Sequence, residues 1–218
     1  MRKINASPII CFAGMTVPTT WAAIHSTSYI IDMISIPDSK FLLKGLFSIP
    51  MILIYNILVH RVFLRFRPLH TGFYDEGSPA EFTYNIYVLY YLLMFNPLLP
   101  TLLIPLPIMR MVYLFLGAKL GENTYSAGVI LDPPLVNIGS NTILGFDSVI
   151  CPHAVEGNKV YFAPIKIGNQ VTIGMRSIIM AGSIIEDHAI IAAGSIVKKG
   201  SHIRSGEIWA GVPAKKLE

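Results

Sequence analysis

Aliphatic side chains in the second half of the chain return every six residues. This spacing fits neither the 3.6-residue turn of a helix nor the two-residue repeat of a strand. The positions form two runs: Ile138, Leu144 and Ile150, then Ile167, Ile173, Ile179, Ile185, Ile191, Val197 and Ile203. A small residue, for example Ser177 or Ser183, stands two positions before most of them. A short fixed period of this kind predicts a solenoid.

The same period predicts the shape of each coil. Three flat sides of about six residues give a coil of about eighteen, with one aliphatic side chain per side pointing inward. The small residues are expected at the corners, together with the glycines after four of the aliphatics, because glycine adopts backbone angles that other residues avoid. These glycines are Gly139, Gly145, Gly168 and Gly174. The alternative is an ordinary buried sheet with a chance period, and ten positions in one register weigh against it.

The first half of the chain instead contains long apolar stretches without a short period. No charge occurs from Ile4 to Ile31, and Lys44 is the only charge from Phe41 to His60. Each stretch is long enough to cross about 30 Å of hydrocarbon as a helix. We predict a transmembrane hairpin over residues 1–66, with spans at about 8–31 and 41–63. A secretory signal is the alternative for the first stretch, which exceeds the usual length of a signal's apolar region.

Basic residues flank the predicted spans on one side. They are Arg2 and Lys3 at the start of the chain, and Arg61, Arg65 and Arg67 after the second span. Short loops rich in Lys and Arg stay in the cytoplasm, so both flanks are predicted to be cytoplasmic. The formal net charge of +4 is carried partly by this cluster, which indicates a membrane surface rather than a nucleic-acid partner.

A third apolar region, residues 82–109, has a different character. It is rich in tyrosine, which favours the headgroup level of a bilayer, and in proline, which interrupts a straight helix. The residues concerned are Tyr84, Tyr87, Tyr90, Tyr91, Pro97, Pro100, Pro105 and Pro107. We predict interfacial or re-entrant helices over residues 67–116, with a third span as the alternative. A third span would place the solenoid on the side of the membrane opposite to the arginine cluster.

Composition supports this division of the chain. Hydrophobic residues make up 53% and charged residues 14%, whereas a typical globular protein has about 25% charged residues. The apolar excess lies mostly before Gly117, which indicates a membrane. Cys11 and Cys151 are far apart in the sequence and predict no disulfide framework, so a reducing compartment is expected for the second half.

The break between the two six-residue runs contains the candidate chemistry. Ile167 follows Ile150 by seventeen residues, so CPHAVEGNKVYFAP is predicted to leave the solenoid wall as a loop. His153 stands at its start, and an imidazole suits the removal of a proton from an attacking amine or hydroxyl. A structural corner histidine is the alternative. Glu156 either holds the imidazole tautomer or is a solvated loop charge, and Cys151 is either a small buried side chain or an acyl-accepting thiol.

The end of the chain, with IIAAGSIVKKG and IWAGVPAKKL, resembles the hexapeptide-repeat acyltransferases. From about residue 61 onward, and most strongly after Leu116, the chain is similar to the membrane-attached hexapeptide-repeat domain at the C-terminal end of ε-poly-lysine synthetases and to stand-alone relatives. The resemblance implies a single-stranded left-handed β-helix over residues 117–218. It also implies a homotrimer with sites between neighbouring solenoids, an acyl-CoA donor and His153 as general base.

The resemblance also implies which residues contact coenzyme A. They are the backbone at Met175, the small residue Ala193, and the basic residues Lys198, Lys199 and Lys215. Members of the family often have threonine where this chain has Lys198. His188 and His202 fall inside regular coils and are expected to be structural. γ-Class carbonic anhydrases share the architecture, but their closely spaced zinc-binding histidines have no counterpart here, so no metal is expected.

The sequence therefore predicts a β solenoid preceded by transmembrane and interfacial α-helices. The predicted function is a membrane-anchored acyltransferase at the inner (cytoplasmic) membrane, with its catalytic domain in the cytoplasm. It would move an acetyl or other acyl group from acyl-CoA to a small-molecule or lipid-linked amine or hydroxyl. The alternative is a non-catalytic scaffold or export-associated module. The sequence does not name the acceptor, because acceptor specificity resides in loop shape and subunit contacts.

Overall fold

A computed structural model describes residues 3–34, 39–97, 104–157 and 159–218. Arg2 and Pro100, which entered the sequence analysis, lie outside these ranges. The chain divides into two compact units, residues 1–69 with 76–97, and residues 70–75 with 98–218.

The first unit is helical. Its elements are α1 (Ala6–Met33), α2 (Lys40–Phe66), α3 (Pro79–Tyr90) and a π-helical turn (Tyr91–Phe95). Helix α1 packs against α2 and α3. Ser78 begins α3 as an N-cap, accepting a hydrogen bond from the Glu81 N–H at 3.1 Å.

Helices α1 and α2 are long and apolar enough to cross a membrane, and they contain the predicted spans 8–31 and 41–63. This agreement concerns length and composition. Within residues 82–109, the structure describes only shorter helices: α3 and the π-helical turn end by Phe95, and the next helix begins at Leu106. Residues 98–103 of that region lie outside the description.

The second unit contains α4 (Leu106–Leu116) and the solenoid. The strands are β1 (Gly72–Phe73), β2 (Lys119–Leu120), β3 (Tyr125–Ser126), β4 (Val129–Ile130), β5 (Val136–Ile138), β6 (Ile143–Leu144), β7 (Val149–Cys151), β8 (His153–Glu156), β9 (Lys159–Phe162), β10 (Ile165–Ile167), β11 (Thr172–Ile173), β12 (Ile178–Met180), β13 (Ile184–Ile185), β14 (Ile190–Ile191), β15 (Ile196–Val197), β16 (His202–Ile203), β17 (Ile208–Gly211) and β18 (Ala214–Lys216). A short 3₁₀ helix, Pro133–Leu135, follows β4.

Three sheets form the sides of the solenoid. Side one is β2-β5-β10-β13-β16, side two is β3-β6-β11-β14-β17-β18, and side three is β4-β7-β12-β15. Neighbouring strands are parallel, except for the closing pair β17 and β18. Ile167 pairs with Ile185, which pairs with Ile203, so the regular coil takes eighteen residues. All ten predicted inward positions are buried, with at most 4% of the residue exposed.

The solenoid has one more coil than the six-residue period indicated. Leu120 pairs with Ile138, Ser126 with Leu144, and Ile130 with Ile150. The third inward position in this coil is Ile130 rather than residue 132, because the step from Ser126 is four residues instead of six; the 3₁₀ segment follows it. That displacement conceals the first coil from a search by period.

The four glycines that directly follow inward aliphatics do not have the role expected from the sequence. Positive φ angles occur three residues after nine of the ten inward aliphatics, for example at Asn141, Gln170 and Gly182; the exception is Ile150, where the loop with His153 begins. The glycines directly after the aliphatics are needed for close approach instead: a Cβ on Gly174 would lie 2.4 Å from the Ala193 nitrogen of the next coil. The buried Ser177 and Ser183 hydroxyls donate to backbone carbonyls, which satisfies them inside the corners.

Helix α4 packs on the first coil of the solenoid. The Arg110 guanidinium donates to the carbonyl oxygens of Leu120, Gly121 and Thr124 at 2.9–3.3 Å. Tyr113, fully buried, accepts a hydrogen bond from the Ile130 N–H at 3.1 Å. These bonds satisfy backbone groups at a β-helix end that would otherwise resemble an open sheet edge.

Candidate active site

The predicted loop is a β-hairpin that projects from one corner of the solenoid. Ile167 follows Ile150 by seventeen residues, whereas successive inward positions of the regular coils are six apart, so the chain makes one long excursion between side three and side one. Strands β8 and β9 pair antiparallel from His153–Phe162 to Glu156–Lys159. The Ala163 N–H donates to the Pro152 carbonyl at 2.9 Å and closes the hairpin base. His153 therefore lies at the rigid end of the hairpin.

A carboxylate that the sequence analysis missed holds the His153 ring. Nδ1 lies 2.5 Å from Asp132 Oδ2. An ionised carboxylate can only accept, so Nδ1 carries the proton and Nε2 is the nitrogen available to a substrate. The Asp132 side chain is 4% exposed and the His153 side chain 34%. Asp132 lies after β4 and directly before the 3₁₀ helix, with a φ of 46°. It precedes His153 by 21 residues, and no sequence motif marked it as a partner of that histidine.

The pair changes the protonation of His153. Burial alone would lower the pKa of the imidazole. The hydrogen bonds with Asp132 and Cys151, and the charge on Asp132, outweigh burial and raise the pKa of His153 to about 10. The protonated ring is therefore the resting form at neutral pH. Cys151 belongs to β7, and its thiol also donates to the His153 carbonyl at 3.2 Å.

Glu156 does not hold the imidazole. It lies near the tip of the hairpin and pairs with the Lys199 ammonium. Lys199 also lies over the Tyr161 ring, 4.6 Å from its centroid, and near the Phe73 ring at 5.7 Å. Asp132, rather than Glu156, is thus the carboxylate in contact with the imidazole, and Glu156 contacts Lys199.

The other residues predicted to bind coenzyme A lie at two corners and one edge. Met175 and Ala193 occupy equivalent turns of successive coils, where the Gly194 N–H donates to the Met175 carbonyl at 2.8 Å. Lys198 and Lys199 follow β15 at the corner that carries the hairpin. Lys215 lies on the closing strand β18, paired with Ala210. The turns, Lys198 and Lys215 are solvent-exposed, whereas Lys199 already has Glu156 as a partner.

The remaining histidines of the solenoid occupy regular positions. His188 is a corner residue with a φ of 63°. His202, on the outer face of β16, lies 2.7 Å from Glu186 Oε1. Within the described ranges, no group of three or more His, Cys, Asp or Glu side chains is arranged to hold a metal ion.

Comparison with known proteins gives three kinds of match. The model of the bacterial transferase hexapeptide (six repeats) matches residues 164–199. Delta-poly-L-ornithine synthetase of Acinetobacter baumannii (strain AB307-0294) is 26% identical over 105 residues, which cover 47% of this chain and 8% of that protein. YvoF of Bacillus subtilis (strain 168), named as a candidate acetyltransferase, is 32% identical over 79 residues, covering 34% of this chain and 46% of that protein.

Among solved structures, a galactoside acetyltransferase in complex with coenzyme A is 23% identical, with a TM-score of 0.48. The match covers 67% of this chain and 85% of that chain. This chain spans less than half of either curated relative. The repeat match agrees with the resemblance found in the sequence: residues 164–199 of the solenoid are similar to the hexapeptide repeat of bacterial transferases.

Proposed function

We propose that this protein is a membrane-anchored acyltransferase that uses acyl-CoA, with His153 as general base. The observation that carries the proposal is the 2.5 Å contact between His153 and the buried Asp132 at the base of the hairpin. A base fixed by a carboxylate on one nitrogen, and open on the other, is the arrangement that proton abstraction requires. The hexapeptide repeat supplies the family context.

In the proposed reaction, neutral His153 Nε2 takes the proton from an acceptor amine or hydroxyl as that atom attacks the thioester carbonyl. The carbon–sulfur bond of the tetrahedral intermediate then breaks, and the departing coenzyme A thiolate receives the proton from Nε2. Nδ1 donates to Asp132 throughout, so the carboxylate stabilises the imidazolium between the two transfers. Since only the neutral ring can act as base, the rate should rise with pH toward the pKa of His153, about 10.

The donor is proposed to lie along the turns of Met175 and Ala193, with its phosphates near Lys198 and Lys215. Ammonium groups suit phosphates as point charges, and both lysines are exposed. A backbone N–H at the Met175 turn is proposed to stabilise the oxyanion. Lys199 would contribute only after leaving Glu156, so its part in donor binding is expected to be smaller.

The membrane part of the proposal is supported by which side chains of α2 are buried and which are exposed. In α2 the buried residues are Asn56 and His60, while apolar side chains such as Phe41 and Leu46 are exposed. Apolar side chains that face outward along a whole helix indicate lipid as the surroundings. We place Lys3 and the cluster of Arg61, Arg65 and Arg67 in the cytoplasm, with the solenoid there as well and α4 at the inner leaflet.

The trimer part of the proposal is supported by the outer faces of the solenoid. Side two presents Tyr125, Ile143, Thr172, Ile190 and Ile208 in one outward row. Side three presents Val129, Val149, Ile178 and Ile196. Side one presents Lys119, Asn137, Lys166, Ile184 and His202. Two different apolar faces per copy are what a closed three-fold ring requires, because each copy meets its two neighbours through different surfaces. Left-handed winding is proposed with the trimer.

The trimer can be tested through one residue of each kind of face. Ile143, 62% exposed on side two, changed to Glu should convert the detergent-solubilised trimer to smaller species. Lys166→Glu on side one is the matched control, since Lys166 also points outward from a strand of the solenoid. Light scattering of both variants gives their masses, and an unchanged mass for Ile143→Glu would exclude side two as the interface.

The enzyme test uses the full chain in detergent, with acetyl-CoA and a long-chain acyl-CoA, and a panel of amine and hydroxyl acceptors. Release of the free coenzyme A thiol should fall by about 10²-fold or more in His153→Asn. His188→Asn is the control, because asparagine tolerates the positive φ of that corner. If neither acyl-CoA binds or turns over with a well-folded trimer, the scaffold function replaces the enzyme.

A further inference from the structure

The hairpin that carries His153 has a third strand. Strand β1 pairs antiparallel with β9, placing Gly72 opposite Phe162 and Phe73 opposite Tyr161. Since Phe162 is also opposite His153 on β8, the three residues form one row across the sheet. A two-stranded hairpin alone is marginally stable in water, and a third strand with a buried face stabilises it. This third strand belongs to residues 70–75, which are remote from the solenoid in sequence.

Tyr74 fastens this strand to the hairpin. Its N–H donates to the Val160 carbonyl at 3.0 Å, and its hydroxyl donates to the His70 carbonyl at 2.6 Å. The residue is 2% exposed, and its ring packs edge-on against Phe162, with centroids 5.4 Å apart. Phe162 is itself buried and packs against the His153 imidazole at 5.7 Å. The contacts form an unbroken series from Tyr74 through Phe162 to the ring of His153.

The series complements the hold that Asp132 has on the imidazole. Asp132 fixes Nδ1 but leaves the ring able to rotate about that hydrogen bond, and Phe162 limits the rotation on one side. Tyr74 packs edge-on against Phe162 and so limits the movement of that ring in turn. The other charged pair of the hairpin, Lys199 with Glu156, lies near the opposite end of β8, over Tyr161 and Phe73.

We infer that Tyr74 is a positioning residue for His153, acting through Phe162, and that strand β1 is an integral part of the active site. The inference rests on the proposed function, since a base needs positioning only where it has a proton to take. It adds a site component from the segment that follows α2 in the chain. Tyr74 is expected to set the fraction of molecules in which the imidazole is aligned, so its loss lowers kcat more than it raises KM.

The test measures His153 directly, without turnover. Diethyl pyrocarbonate modifies neutral imidazole, and peptide mass spectrometry gives the rate at each histidine of the full chain in detergent. The groups that set the protonation of His153 are Asp132 and Cys151. When Tyr74→Ala lets the ring drift from Asp132, its pKa falls toward the ordinary value near 6.5, and modification at pH 7.5 should accelerate about tenfold or more. Rates at His188 and His202 serve as internal references and should stay unchanged.

Two further variants separate positioning from general damage. Tyr74→Phe keeps the ring against Phe162 and should react like the wild type within about a factor of two. Phe73→Ala removes a half-exposed ring from the same strand. Because this ring contacts Tyr161 rather than Phe162, the modification rate of His153 should stay low. A His153 rate in Tyr74→Ala equal to the wild type, with β1 intact, overturns the inference.

The same experiment distinguishes failure of this inference from failure of the proposed function. If His153 accelerates in Tyr74→Ala while no acyl-CoA is ever turned over, the positioning holds and the acyltransferase proposal fails. If acyl transfer is found and depends on His153, but is insensitive to Tyr74→Ala, the proposed function holds and the positioning role is wrong.

Discussion

Helix α2 and the solenoid bury opposite kinds of side chain. In the solenoid all ten repeat aliphatics are buried, and Lys166 and His202 point outward. In α2 the buried residues are Asn56 and His60, and Phe41 and Leu42 are 88% and 73% exposed. A single rule explains both regions when the solvent differs: groups unlike the surroundings turn inward. The comparison teaches what the proposed membrane anchoring would require: α2 surrounded by hydrocarbon and the solenoid surrounded by water.

The largest effect is expected when a carboxylate is introduced into the solenoid or into α2. Ile179 is fully buried in β12, and Ile179→Asp should cost more than about 4 kcal/mol and prevent the solenoid from folding. Ile54, near the middle of α2, is 51% exposed, so Ile54→Asp should leave the solenoid melting transition unchanged in detergent. In a bilayer it should instead cost about 3 kcal/mol of insertion. Circular dichroism and membrane fractionation measure the two outcomes.

The comparison breaks in either of two cases. The first is an Ile54→Asp protein that fractionates with membranes as fully as the wild type. The second is an Ile179→Asp protein that melts normally. Lys166→Asp, on an outward position of β10, is the control for the charge itself and should leave the solenoid folded.

Glycine substitutions give the next largest contrast. A Cβ on Gly174 would lie 2.4 Å from the Ala193 nitrogen, so Gly174→Ala should push successive coils apart and cost about 3 kcal/mol. Gly45 in α2 has nothing within 4 Å of the same Cβ position. Gly45→Ala should therefore be neutral or stabilise the helix by up to about 1 kcal/mol. Thermal melts of the two variants in the same detergent compare them.

A second solenoid glycine separates crowding from backbone angle. Gly194 has a φ of +71° but no atom within 4 Å of its Cβ position, so Gly194→Ala should cost only about 1 kcal/mol. Equal losses at Gly174 and Gly194 would contradict the assignment of crowding to the glycines that follow the aliphatics.

The predictions from sequence succeeded where one period was repeated many times. Ile167 to Ile203 obey the six-residue step without interruption, so their inward direction followed from the spacing alone. The first coil failed the same test, since Ile130 stands where the step of six would put residue 132. The role of the glycines was partly wrong for a related reason: a spacing does not reveal whether Gly174 is needed for its backbone angle or for the room beside it.

The site was predictable only in part. His153 was singled out as a candidate because it lies at the break in the period, and its catalytic role stays a prediction. Asp132 was missed because it lies in the preceding coil, 21 residues before His153, and no local motif connects residues so far apart in sequence. Glu156, three residues from His153, was the obvious partner in sequence. On a β-strand an odd spacing puts the two side chains on opposite faces, which is why Glu156 meets Lys199 instead.

A smaller effect is expected when the buried charge of the solenoid is neutralised. Asp132→Asn removes the anion that holds the His153 pKa near 10, so the pH profile of acyl transfer should shift toward neutral pH, with a lower maximum rate. The stability effect has a definite sign. A pKa raised above the ordinary 6.5 means that the pair stabilises the folded state fully below about pH 6.5, and that this contribution is lost as pH rises through about 10.

The melting temperatures of wild type and Asp132→Asn should therefore differ most near pH 6 and converge toward pH 10. Since His153 is about a third exposed, solvent screening reduces the difference to about 1 kcal/mol. A gap that widened between pH 6 and pH 10 would contradict the ion pair, whatever its effect on turnover.

The smallest effect is expected at exposed ion pairs, and it still distinguishes the two regions. Lys216 lies 3.0 Å from Glu207 on the solenoid, and Lys44 lies 2.7 Å from Asp32 at the end of the helical hairpin. Water and salt screen the first pair, so Lys216→Ala should lower Tm by about 2 °C or less and have no effect in high salt. The second pair is proposed to lie near the membrane surface, where the dielectric is lower. Lys44→Ala should therefore destabilise the helical unit more in vesicles than in detergent, as hydrogen exchange of α1 and α2 would detect. Equal exchange in both surroundings would place Asp32 and Lys44 in bulk water and move the membrane boundary away from that end of the hairpin.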